Sequence, residues 1–249
     1  MSESSVTQYL LRLGDTSLIL SQRLSDWIGH APAVEEDLGL ANIALDLLGQ
    51  ARLLLSYAGE ATSQSEDDLA YLRGASQFYN LTLAEQPNGD FAHTVARLYL
   101  TDAWRLATYT QLRQSNDKRL ADIATKTLKE IRYHIRYSRN WLTRLGDGTE
   151  ESARRMQKAV DDLWCFTREL ITADALDEEM HTAGIGVDIV KIRDAWNQEV
   201  DQTFAQAVLT RPETTPFKWF GKQGDHSEHL GHLLAEMQSL ARANPGAKW

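Results

Sequence analysis

The chain has 249 residues, a formal net charge of −9 and 43% hydrophobic residues. The acidic balance argues against general binding to nucleic acid or to an anionic membrane, although it leaves room for a local basic patch. The single cysteine, Cys165, excludes an internal disulfide framework and suits a reducing compartment. The N-terminus has no basic region followed by an apolar stretch, and we find no run near the roughly 20 apolar residues that span a bilayer. We therefore expect a soluble cytoplasmic protein.

Helical periodicity extends along almost the whole chain, and no stretch alternates between apolar and polar residues as a half-buried strand would. The first predicted helix carries Leu10, Leu13, Leu20 and Leu24 on one stripe. The second is apolar almost all round, so we expect it deep in a bundle. In chain order the predicted helices cover about 5–28, 35–58, 68–86 with a break near Gly74, 91–114, 117–145, 150–175, 187–210 and 225–243.

This pattern predicts an all-α protein with a bundle core and additional helices packed around it, in a single domain over 1–249. Helical bundles of this kind can hold two iron ions. One carboxylate then comes from each of two helices, and a Glu-x-x-His pair comes from each of the two others. Acids occur at comparable places in four predicted helices, at Asp15, Asp46, Asp102 and Glu130.

The histidines of that template are missing. Three residues after Asp46 stands Gly49, and three residues after Glu130 stands Tyr133. A shift in register could bring His134 into one half-site, whereas nothing replaces Gly49. The alternative is that the acids pair with arginines inside the bundle, because a buried unpaired acid is costly. The candidate arginines are Arg52, Arg105 and Arg136.

Two further clusters contain metal-ligating residue types. Glu178 and His181 form a literal Glu-x-x-His, but it lies beside a glycine-rich turn and has no second half-site. The segment DHSEHLGH holds His226, His229 and His232. The last two share a helix face, which would suit zinc, while the Asp and Ser before them are an ordinary helix start. We expect no metal at either cluster.

Three long blocks are similar to a known family. They are AEQPNGDFAHTVAR (84–97), KEIRYHIRYSRNWLTRLGDGTEES (129–152) and GKQGDHSEHLGHLLAEMQSLARANPGAKW (221–249). They resemble the C subunits of bacterial phenylacetyl-CoA epoxidases, multicomponent oxygenases of aerobic phenylacetate breakdown, and the likeness covers essentially the whole chain. The resemblance implies a ferritin-like bundle without a working metal site and with no cofactor of its own. It also implies a di-iron catalytic A subunit as partner, together with a B subunit and a flavin and iron–sulfur reductase.

The resemblance gives the degenerate positions a meaning. It implies that Asp15, Asp46, Gly49, Asp102, Glu130 and Tyr133 are the remains of a di-iron site. The chain would then hold the catalytic subunit's helices in place rather than act itself. An oxygenase in its own right and a free-standing binding or storage bundle are the alternatives. Tryptophans are favoured interface anchors, and we name Trp27, Trp104, Trp141 and Trp219 as candidates.

A further expectation concerns the substrate. A bundle related to that of the catalytic partner could keep a pocket that contacts phenylacetyl-CoA, through polar groups near the helix break and through a cluster of acids near 178. The candidate contacts are Ser76, Gln77, Phe78, Tyr79, Asp177, Glu178 and Glu179. The competing interpretation is ordinary loop and helix-cap chemistry.

Overall fold

A computed structural model describes residues 3–213 and 220–247. Within these ranges it contains α-helices, short 3-10 turns and no strand, which confirms the all-α prediction. The α-helices are α1 (Glu3–Asp26), α2 (Val34–Thr62), α3 (Glu66–Tyr71), α4 (Phe91–Leu112), α5 (Lys118–Gly146), α6 (Glu150–Trp164), α7 (Thr167–Leu170), α8 (Ala175–Thr182), α9 (Ile189–Gln206) and α10 (Glu228–Ala243). Three 3-10 turns lie at Ala75–Gln77, Thr82–Glu85 and Gly221–Gln223.

The chain divides into two compact units. The first comprises Met1–Pro87 with Trp219–Trp249, and the second comprises Asn88–Lys218. The prediction of one domain over 1–249 stays a prediction.

The first unit is built on the antiparallel pair α1 and α2. The inner stripe of α1 includes Leu13 and Leu20, and that of α2 includes Ile43, Leu47 and Leu54, all of them buried. Burying such side chains stabilises the pair by about 1.5–3 kcal/mol each. The two helices approach closely at Gly14, where an added Cβ atom would lie 3.0 Å from the side chain of Leu55.

The outer face of α2 departs from the sequence prediction. Val34, Leu38 and Leu45 are 71%, 61% and 65% exposed, so the expectation that this helix lies deep in a bundle is wrong for that face. By length and composition α2 could cross a membrane, which corrects the expectation that no segment would qualify, and 44% of its most apolar window is buried. A core helix passes the same test, so this finding is weak support for a membrane span.

The second unit is built around α4, which packs on α5, α6 and α9. The indole of Trp196 on α9 is fully buried and its Nε1 donates to the carbonyl of Leu100, 3.1 Å away. The side-chain caps in this unit include Asp90 before α4, Asp117 before α5 and Thr149 before α6.

The predicted helix over 68–86 is mostly not helical. It ends after one and a half turns, since α3 stops at Tyr71 and two 3-10 turns follow. The first of these turns follows Gly74, whose amide donates to Oε1 of Gln77 at 2.9 Å. A capping box between Ser65 and Asp68 fixes the start of α3. The break therefore places an extended stretch of polar backbone beside α1, and this stretch shapes the candidate site.

Candidate functional site

Asp15 lies in the middle of α1 and is fully buried. The guanidinium of Arg73 pairs with both of its carboxylate oxygens, and the amide of Tyr79 donates to Oδ2 at 2.9 Å. Burial raises the pKa of Asp15, while Arg73 and the Tyr79 amide oppose that rise. The acid at the predicted ligand position in α1 therefore has an arginine as its counter-ion. This arginine comes from the segment that follows α3.

Asp102 on α4 has a similar environment in the second unit. It is fully buried, it accepts from Nη1 of Arg105 at 3.1 Å, and it accepts from the hydroxyl of Ser138 at 3.1 Å. Burial raises the pKa of Asp102 to about 7 against the opposing effect of Arg105. The prediction that an arginine such as Arg105 pairs with a buried acid is confirmed here.

His134 on α5 completes this second polar cluster. Its ring is fully buried, and Nη1 of Arg105 lies 3.5 Å from its Nδ1. Because a guanidinium can only donate, Nδ1 presents a lone pair to it. Burial, and then the charge of Arg105, lower the pKa of His134 to about 3, so the imidazole is neutral. A metal would bind a ring nitrogen through its lone pair, and here that lone pair faces an arginine.

The buried face of α5 runs one residue later than the predicted ligand positions. Ile131 and His134 are fully buried, whereas Tyr133 is 41% exposed and Glu130 is half-buried. Glu130 and Tyr133 therefore lie beside the buried face of α5 rather than on it, and their assignment as remains of a di-iron site stays a prediction. Thr127 is also buried, and it continues the stripe of Ile131 and His134 at helical spacing. This stripe determines which residues of α5 face the core.

The same shift occurs in α2. Asp46 is half-buried, and Gly49 is exposed, with nothing within 4 Å of an added Cβ atom. Leu47 and Gln50 are buried instead. The inner pair of this helix, three residues apart, is thus leucine and glutamine. As in α5, the inner pair is not Glu-x-x-His, and the assignment of Asp46 and Gly49 as remains of a di-iron site stays a prediction.

Comparisons with known proteins place the chain in a family. A family model described as phenylacetic acid catabolic protein matches residues 1–249. The chain belongs to this family. The C subunit of the 1,2-phenylacetyl-CoA epoxidase of Escherichia coli (strain K12) is 52% identical over 247 residues, covering 99% of this chain and 100% of that protein. The family resemblance drawn from the sequence blocks is confirmed.

The residues of this chain that are expected to contact substrate form two groups, and the two groups lie in different units. In the first group Phe78 is buried and the guanidinium carbon of Arg73 lies 4.2 Å from its ring centroid, while Ser76 and Gln77 are exposed and Tyr79 is half-buried. Phe78 therefore has a packing role in its own unit. Contact of this segment with substrate stays a prediction.

In the second group Asp177 is buried and forms a capping box with Asp174 at the start of α8. Glu178 and Glu179 are exposed on the same helix. This is the ordinary cap chemistry that the sequence offered as the competing interpretation, and a substrate role for these three acids stays a prediction.

The other predicted positions do not assemble into a metal site. Over the residues described, no group of three or more His, Cys, Asp or Glu side chains comes together in a way that could hold a metal ion. Arg52 pairs with Glu66, and Arg136 lies over the ring of Tyr133 at 5.6 Å, so neither is seen paired with the predicted acids. The candidate anchors Trp27, Trp104 and Trp141 are half-buried, and Trp219 lies outside the described residues.

Sequence reasoning missed Arg73. It comes from a segment 58 residues after Asp15, so no local spacing relates the two. The available signal was an arginine placed directly before the helix-breaking Gly74. By contrast, Asp102 and Arg105 are three residues apart on one helix, a spacing at which side chains meet.

Proposed function

We propose that this chain is the non-catalytic structural subunit of an oxygenase that epoxidises the aromatic ring of phenylacetyl-CoA, with a degenerate metal site of its own. The name of its E. coli relative and the shared family support the reaction and the pathway. The single cysteine supports a reducing compartment, so we place the complex in the cytoplasm.

One observation carries the non-catalytic role. Both fully buried acids among the predicted ligand positions, Asp15 and Asp102, have an arginine as counter-ion. A guanidinium at hydrogen-bonding distance supplies the positive charge that a metal would supply, and it would repel an approaching cation. The residues of this chain therefore do not fit a di-iron centre.

The inner positions of the other two helices lead to the same conclusion. A di-iron site needs a carboxylate and an imidazole at each Glu-x-x-His half-site. The buried pairs here are Leu47 with Gln50 and Ile131 with His134. Leucine and isoleucine have no donor atom for a metal, so the bridging carboxylates of both half-sites are absent.

The outer face of α2 is the surface that we assign to the catalytic partner. Val34, Leu38 and Leu45 follow one another at intervals of four and seven residues, so they form one exposed apolar stripe along the helix. Exposed apolar stripes of this kind mark protein–protein contacts. We propose that a di-iron A subunit packs on this stripe, and that the B subunit and the reductase join the resulting heterodimer.

Co-purification tests this assignment. The variant Leu38→Glu/Leu45→Glu places two charges on the stripe and should reduce recovery of a co-expressed A subunit at least tenfold. The matched control is Leu240→Glu, because Leu240 is exposed to a similar extent, at 59%, on α10. The control should keep full recovery. Equal recovery from the stripe variant and the control would contradict the assignment, and loss of recovery in both would show that any added charge disrupts the pair.

A further inference from the structure

The histidine-rich segment 225–232, which leads into α10, remains unexplained by the proposed function. His226 and Ser227 of this segment both contact Glu85. Glu85 is fully buried and ends the 3-10 turn Thr82–Glu85. The amide and the hydroxyl of Ser227 donate to Oε1 of Glu85 at 2.7 and 2.8 Å. Nδ2 of Asn80 donates to Oε2 at 2.9 Å. These donors occupy both oxygens of the Glu85 carboxylate.

His226 lies between two oxygen atoms. Its Nδ1 is 2.7 Å from Oε2 of Glu85, and its Nε2 is 2.9 Å from the carbonyl oxygen of Phe78. A carbonyl only accepts, so Nε2 carries a proton. The 2.7 Å contact between Nδ1 and Oε2 of Glu85 also needs a proton between the two atoms, and this is a second proton held by the pair. The closed contact therefore contains one proton more than a neutral histidine and a carboxylate would hold.

Charged groups of both signs lie around this pair: acids favour the extra proton and arginines oppose it. From α1, Asp15 interacts electrostatically with His226, and Arg23 donates to the backbone carbonyl of Glu85. Arg73, from the segment after α3, binds Asp15 and lies over the ring of Phe78, whose carbonyl His226 contacts. On the histidine's own element the nearest charged residues in sequence are Asp225 and Glu228.

The rest of the segment is held by backbone contacts. The amide of Gly221 donates to the hydroxyl of Thr82 at 3.1 Å, and Nε of Arg12 donates to the carbonyl of Lys222 at 2.9 Å. A Cβ atom on Gly221 would collide with the carbonyl oxygen of Asn80, so the two stretches of backbone lie in direct contact. Two stretches of backbone in direct contact are stabilised mainly by the hydrogen bonds between them, because they bury little apolar surface. Losing those hydrogen bonds therefore weakens the contact.

We propose that Glu85 and His226 form a proton-dependent clasp that holds residues 220–227, and with them the start of α10, against the 78–86 segment of the first unit. When the extra proton leaves, the lone pair of Nδ1 faces a carboxylate oxygen 2.7 Å away, and that contact becomes repulsive. The clasp is therefore closed at neutral and mildly acidic pH and weakens as the pH rises. This inference does not depend on the proposed function.

Hydrogen exchange measured by mass spectrometry tests the clasp on the full-length protein. Protection of amides in α10, corrected for the intrinsic effect of pH, should fall at least tenfold between pH 7 and pH 9 in the wild type. Amides of α4 serve as the internal reference. The variant His226→Gln should show low protection of α10 throughout, with no pH dependence. The control is His232→Gln, because His232 is exposed on α10, and it should behave as the wild type.

Two results would overturn the proposal. One is protection of α10 that stays constant from pH 7 to pH 9 in the wild type. The other is a His226→Gln variant whose exchange matches that of the wild type at every pH. If His226→Gln does not fold, the wild-type pH series decides the question by itself.

Discussion

Replacing Arg105 by methionine tests the claim that an arginine is the counter-ion of Asp102, where the di-iron template would place a metal ion. The change keeps most of the apolar stem and removes the charge from a side chain that is only 1% exposed. Asp102 and His134 each lose the Arg105 donor, at 3.1 and 3.5 Å. Breaking a buried pair of this kind costs about 3–5 kcal/mol. For a chain of this size that loss lowers the melting temperature by on the order of 10 °C.

The assay is thermal and urea unfolding followed by circular dichroism at pH 7. The matched control is Arg52→Met, which removes an exposed arginine from its pair with Glu66 and should leave the midpoint unchanged. The double variant Asp102→Asn/Arg105→Met should recover more than half of the loss, because no buried charge remains. A loss in Arg105→Met no larger than that of the control would refute the reasoning.

Two other substitutions test the second polar cluster and the backbone contact. The pKa of His134 is lowered to about 3, below roughly 6.5 in the unfolded chain, so its stabilising contribution is full above pH 6.5 and is lost as the pH falls. The free energy of unfolding of His134→Gln should therefore lie below that of the wild type at pH 6.5, and the difference should shrink by about 1 kcal/mol per pH unit down to pH 4.5. Urea titrations measure this difference, and a difference that stays constant with pH would contradict the burial of a neutral ring. In the same assay Gly221→Ala should cost about 1–3 kcal/mol, because its Cβ would collide with the carbonyl of Asn80. Gly231→Ala has open space around it and should be neutral or stabilising by up to about 1 kcal/mol, so equal effects of the two would contradict the close contact.

Much of the fold follows from local patterns. The helices α4, α5 and α6 begin within a few residues of where capping residues and turns predict them, because a cap satisfies amides of its own helix. The segment after Tyr71 was mispredicted, because its apolar residues face α1 and other parts of the first unit rather than one helix face. Hydrophobicity alone also misplaced the outer face of α2, since an exposed apolar stripe and a buried one have the same composition.

Of the four acids named from the sequence, two lie on a buried helix face and two lie one residue away from it. The sequence indicated buried acids at Asp15 and Asp102 and a missing Glu-x-x-His, and both acids are buried. The prediction for α5 followed the acid Glu130, whereas the buried stripe of that helix runs through Ile131. The ion pair between Asp15 and Arg73 depends on tertiary structure, and local spacing does not encode it.

The measurement that tests the central claim most directly is the iron content of this chain by elemental analysis, alone and after co-expression with the proposed catalytic A subunit. We predict iron near zero in the isolated chain and about two irons per heterodimer in the complex. About two irons per chain in the isolated protein would contradict this prediction, because the arginines at Asp15 and Asp102 would then have to give way to metal.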